Sequence, residues 1–190
     1  MQEIITRESA FTLFKQYNQT ESLTKHALAV EAVMRHFASK FNEDEEKWGI
    51  IGLVHDLDYE QFPEEHCDKT KEILTSANWP DSYIRAVLSH AYGLCTDVEP
   101  LHVMEKVLFA TDELTGLVTT AVLVRPDKSI HNLSMKSVKK RWKDKRFAAK
   151  IDRGIITKGA EMLGMSIDDL IEETIKGMQS VAKNLGLEGD

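Results

Sequence analysis

The sequence predicts an all-α fold, a bundle of roughly seven to nine helices. Three observations carry that expectation. Apolar residues recur at three-and-four spacing along most of the chain, and turn-forming residues fall between those stretches. The one stretch rich in Val and Thr, residues 116–124, would favour a strand locally, yet no second convincing strand exists to pair with it. It is therefore read as helical or irregular.

The elements follow in chain order. Leu23, His26, Ala27, Val30, Met34, Phe37 and Phe41 share one face of a long helix. Asn42 with Glu45 is read as a capping box for the next helix, on which Trp48, Ile51, Gly52 and His55 share a face. Gly52, one turn before His55, leaves room for a second helix or a ligand. Residues 58–63 read as a loop, and a helix is expected over about 64–77 with His66, Thr70, Ile73 and Leu74. Pro80 suits the first turn of a helix whose stripe Ile84, Val87, Leu88 and Ala91 is bordered by His90. Leu101, Met104, Leu108 and Asp112 mark another helix. Two more are expected over about 134–145 and 147–163, and a last one follows Ser166, where Asp168 and Asp169 suit an N-terminus.

With 190 residues, 42% of them hydrophobic and 29% charged, the chain suits one soluble globular domain over 1–190. No linker, repeat or low-complexity tract divides it. The two cysteines, Cys67 and Cys95, form no Cys-x-x-Cys pair, which argues against a disulfide framework or a thiolate zinc site and suits a reducing cytoplasm. The N-terminal MQEIITRESAFTLF lacks the pattern of a leader, and no run approaches a membrane span of roughly 18 apolar residues. A cytoplasmic location is expected. The net charge of −7 disfavours general nucleic-acid or membrane binding. Eight basic residues between Lys136 and Lys150 run against that balance, either as a solvated helix face or, for one or two of them, as holders of a substrate phosphate.

His26, the pair His55-Asp56, His66, His90 and Asp112 interrupt or border apolar stripes, where an uncommitted polar group is costly. His nitrogen and Asp oxygen together suit borderline first-row ions, and one helix cannot wrap an ion alone. Neighbours on a helix point about 100° apart, so His55 and Asp56 would flank an ion, and Asp56 could bridge to a second one. His36, His102 and His131 have no such context and are read as structural or surface residues. Trp48, Trp79 and Trp142 are read as core or groove anchors.

His26, His55-Asp56 and Asp112 resemble, in order and rough spacing, the signature of the HD superfamily of metal-dependent phosphohydrolases. The resemblance is clearest over about 25–116. LVRP (123–126), KSVKK (136–140) and FAAKIDR (147–153) are similar to a subgroup of small prokaryotic members of unassigned substrate. It implies an HD-like bundle with a metal-binding core over about 20–116 and a helical extension over about 117–190. It further implies His26, His55, Asp56 and Asp112 around a first divalent ion (Mn, Fe, Co, Ni, Zn or Mg), with Asp56 bridging to a second held by His66 and His90. The doublet continues here as His-Asp-Leu-Asp rather than His-Asp-Ile-Gly, and no Gly-Tyr-Pro follows, which disfavours cyclic dinucleotide hydrolysis.

The expected activity is hydrolysis of a small phosphorylated metabolite or nucleotide by metal-activated water. A mixed-valent di-iron oxygenase on the same ligands, or a non-catalytic metal-binding sensor or scaffold, are the alternatives. Lys69, one turn after His66, is the leading catalytic and substrate-binding cation. Arg125, Lys136, Lys140 and Arg153 are further candidates for the phosphate. Asp58, three residues after His55, is read either as orienting a water or a ligand histidine, or as capping the following loop.

Overall fold

The structure, a computed structural model, describes residues 5–189; the first four residues of the N-terminal stretch read above for a leader lie outside it. The described residues form α1 (Arg7–Tyr17), α2 (Glu21–Phe41), α3 (Glu45–Leu53), α4 (Asp68–Ser76), α5 (Asp81–Leu88), α6 (Val103–Leu123), α7 (Met135–Trp142), α8 (Arg153–Leu163), α9 (Ile167–Gln179) and α10 (Ala182–Leu185). Short 3-10 turns cover Pro63–Glu65 and Ser89–Ala91. No strand occurs among the described residues, so the all-α expectation holds. Among the described residues no helix is long and apolar enough to cross a membrane.

Two long helices, α2 and α6, frame the molecule. From Trp48 to Leu53 every residue of α3 is buried, because this part of the helix is apolar on all sides and lies inside the bundle. It approaches α2 closely at Gly52, where a Cβ would stand 2.8 Å from Met34 Cγ and 3.1 Å from the Val30 carbonyl. The packing reading of Gly52 is therefore the correct one. On the far side of α6, Gly159 of α8 serves the same end: a Cβ there would lie 2.5 Å from Ala110 Cα. One hydrophobic cluster runs through all of this, from Ala10 to Leu187.

Residues 116–124 extend α6 rather than forming a strand. Leu117, Val118, Ala121 and Val122 pack into a core shared with α7, α8 and α9, and tertiary burial overrides the local preference. The capping box expected at Asn42 is corrected. Asn42 ends α2 in the left-handed conformation (φ 56°), and Asp44 caps α3 by accepting from the Lys47 N–H. The helix expected over 64–77 starts only at Asp68, and the one expected from 147 starts at Arg153, capped by Asp152. α1 was not foreseen. Asn18 at its end is fully buried and donates to the Leu57 carbonyl at 2.7 Å, tying α1 to the segment that follows His55 and Asp56.

Charges within the fold are paired. Glu31, 4% exposed, accepts two bonds from Arg7 and one from Arg35. His102 caps α6 through Nδ1, and His36 Nε2 meets Glu173 Oε2 at 2.7 Å, clamping α2 to α9. Both histidines are structural, as read from the sequence. Burial alone would raise the Glu173 pKa, but His36, Lys176 and Lys40 outweigh it and hold the carboxyl down at about 2.

A carboxyl depressed in the folded state stabilises the fold above its unfolded pKa, here 4.5, and loses that contribution as pH falls toward 2. Glu173→Gln is expected to cost about 1–3 kcal/mol at neutral pH. In denaturant unfolding curves that cost should shrink steadily below pH 4.5 and vanish near pH 2; a pH-independent cost would show that the pairing is not its source.

Candidate metal centre

Two groups of side chains converge where α2, α6 and the segment after α3 meet. In the first, His26 comes from α2, His55 and Asp56 from the turn that ends α3, and Asp112 from the middle of α6. His26 Nε2 and His55 Nε2 stand 3.2 Å apart, and Asp112 Oδ1 lies 3.0 and 3.2 Å from them. Asp56 Oδ2 completes the group at 3.6 Å from His26 and 3.4 Å from His55. In the second group, His66 Nε2 and His90 Nε2 are also 3.2 Å apart, with Asp56 Oδ1 at 3.5 and 3.4 Å. The two oxygens of Asp56 thus face different histidine pairs.

The other ring nitrogens fix the tautomers. His55 Nδ1 donates to the Gly52 carbonyl at 2.8 Å, and His90 Nδ1 to the Val87 carbonyl at 2.7 Å. His66 Nδ1 donates to Asp58 Oδ1 at 2.7 Å. Thr115, whose hydroxyl donates to the Asp112 carbonyl, is left to accept from His26 Nδ1 at 3.4 Å. A neutral imidazole carries one N–H, so each of the four Nε2 atoms presents a lone pair. Lone pairs facing each other at 3.2 Å, beside carboxylate oxygens, repel unless a cation lies between them. An ion about 2.0–2.1 Å from each of four tetrahedral ligands holds them about 3.3–3.4 Å apart. The observed separations of 3.0–3.6 Å fit that requirement.

The electrostatics agree. Burial pulls the His55 pKa down, but Asp56 and Asp112 outweigh it and hold the ring well above its ordinary value. His66 is raised in the same way, against burial, by Asp58 and Asp56. Both Asp56 and Asp112 lie far below the usual carboxylate range despite burial, chiefly through His55. Such a site demands positive charge, and protons and metal ions compete to supply it. Glu113, next to Asp112, is pushed up to about 7 by burial and by its neighbour's charge.

Asp58 is fully buried, with Oδ1 on His66 Nδ1 and Oδ2 on the Thr70 N–H. It orients a candidate ligand histidine and caps α4 at once. The water-orienting reading is corrected, since both oxygens are engaged away from solvent. The cations are placed elsewhere as well. Lys69 pairs with Glu72 at 2.8 Å and Glu65 at 3.6 Å. Arg153 spends its guanidinium on the carbonyls of Trp142, Asp144, Phe147 and Ile151. Arg125 is bidentate to Asp127 and shares a cleft of about 470 Å³ with Lys140, lined also by Ala121. Ala121 is nine residues, about 14 Å, along α6 from Asp112. Lys136 lies beside Glu172 and Lys176. None of these five contacts the histidine groups.

Sequence reasoning missed Thr115, although its place one turn after Asp112 was a usable signal. It also missed Lys158, whose ammonium lies 4.3 Å from the Tyr92 ring centroid and 5.8 Å from that of Phe109. Those rings sit two residues beyond His90 and one turn before Asp112, so Lys158 stands on the elements that carry two of the candidate ligands. No sequence signal marked it, since it belongs to a helix remote in the chain.

No curated protein and no solved structure matches the chain. A family model described as HD domain matches residues 23–117, half of the chain, and spans His26, His55-Asp56, His66, His90 and Asp112. The chain belongs to the HD domain family of metal-dependent phosphohydrolases.

Proposed function

We propose that this protein is a divalent-metal-dependent phosphohydrolase that acts on a small phosphorylated metabolite or nucleotide. The observation that carries the reading is the double set of inward-facing imidazole lone pairs, one beside each oxygen of Asp56. His26, His55, Asp56 and Asp112 are the residues that would hold one ion, and Asp56, His66 and His90 a second. Two bound ions supply a nucleophilic water at neutral pH and positive charge for the phosphoryl oxygens.

The chain's own residues do the positioning. Gly52, Val87 and Asp58 lock three rings in the tautomer that offers Nε2, so ligation asks no rearrangement of them. His55 and His90 are buried, whereas His26, Asp56 and Asp112 keep part of their surface in solvent, which leaves one open face for substrate. Tyr59, half-exposed, packs T-shaped against the His66 ring at 5.2 Å between centroids and forms part of that rim.

The test is turnover of a phosphate-ester panel by the metal-reconstituted protein. His55→Ala and Asp56→Ala are expected to lose bound metal and at least about 100-fold in rate together while staying helical by circular dichroism. A variant that keeps both metal and activity would refute the assignment. Asp58→Asn satisfies only one of the two N–H groups that Asp58 accepts. It should weaken the second ion about 10–100-fold in a metal titration and leave the first unaffected; equal weakening of both would point to a general loss of structure instead.

A further inference from the structure

Cys67 follows His66 directly and is 1% exposed. Its backbone takes φ 72° and ψ −41°, between the 3-10 turn and the start of α4. A non-glycine residue held there costs about 1–3 kcal/mol. The turn aims His66 at His90 and, in the same step, sends the Cys67 side chain inward. Its sulfur and one ligand atom each of His66 and His90 all lie within 4.8 Å of one another. A buried cysteine is ordinarily a small hydrophobe, and Cys67 does border the core. What sets it apart is its place in one cluster with a ring nitrogen of each of two histidines whose Nε2 atoms stand 3.2 Å apart.

We propose that Cys67 is a thiolate ligand of the second ion, beside His66, His90 and Asp56. The inference rests on the two-ion reading given above. As the ion binds, the S–H bond breaks, its proton leaves to solvent and a sulfur–metal bond of about 2.3 Å forms, with no change of oxidation state. A soft thiolate added to two imidazoles selects zinc, iron or cobalt over magnesium. The first position, with no sulfur, keeps the broader choice. The two positions of this site therefore differ in the metals they prefer.

The experiment titrates cobalt(II) into the full chain under a phosphine reductant and follows the near-ultraviolet thiolate-to-cobalt charge-transfer absorption. The chain holds two cysteines, Cys67 and Cys95, so two variants resolve the source. The band is expected to grow with the second equivalent in wild type and in Cys95→Ser, and to be absent from Cys67→Ser, whose second equivalent binds at least about tenfold more weakly. Should Cys67→Ser fail to fold, the band in Cys95→Ser alone assigns it to Cys67. Two equivalents bound by wild type without the band would overturn the thiolate and leave the proposed hydrolase standing. A band that survives in Cys67→Ser, or is lost from Cys95→Ser, would also overturn it. Failure to bind cobalt at all would overturn both.

Discussion

Four imidazole nitrogens with lone pairs turned toward one another, and two carboxylates among them, form an arrangement that only positive charge can reconcile. The rest of the molecule is organised to hold it. The second half of α3 is apolar on all sides, so the helix ends inside the bundle and places His55 and Asp56 at the centre rather than on a surface. Asn18 fixes the segment just beyond them through the Leu57 carbonyl. α2 and α6 bring His26 and Asp112 from either side, and Thr115 joins the two by accepting from one and donating to the other's main chain. Backbone carbonyls at Gly52 and Val87 then decide which nitrogen of each buried ring is free. Leaving these groups without an ion concentrates repulsion in a region screened from water.

Where apolar periodicity and the polar exceptions to it ran together, the sequence was legible. The stripe from Leu23 to Phe41 located α2 and placed His26 on its inner side, and the four groups of the HD signature meet as the resemblance implied. What resisted reading was non-periodic. The break at His66 and Cys67 lies inside a pattern that looks helical from Glu64, and it exists because His66 must turn toward His90 and Asp58. The main-chain acceptors carry no residue identity, so nothing in the sequence could name them. Asp58 was visible as a candidate, but choosing between its roles needed the positions of His66 and Thr70.

Charge was the least legible property. Spacing placed Lys69 one turn from His66, yet Glu72 on α4 and Glu65 in the preceding 3-10 turn take its ammonium. The basic stretch in 136–150 divides in the same way. Lys139 pairs with Asp168, Arg146 with Asp144, and Arg141 lies 4.9 Å from the Phe147 ring centroid. Long cations go to the nearest carboxylate or ring, and sequence order does not reveal which that is. Lys158 reaches the rings of Tyr92 and Phe109 from α8, which Gly159 lets lie against Ala110.

Asp56 would divide two ion positions, and anomalous diffraction from crystals of the zinc- or manganese-loaded protein measures that division directly. Two anomalous peaks about 3.5–4 Å apart are expected, one within bonding distance of His26, His55 and Asp112, the other of His66 and His90, with one Asp56 oxygen on each. A single peak with His66 and His90 unligated, or none despite saturating metal, would contradict it.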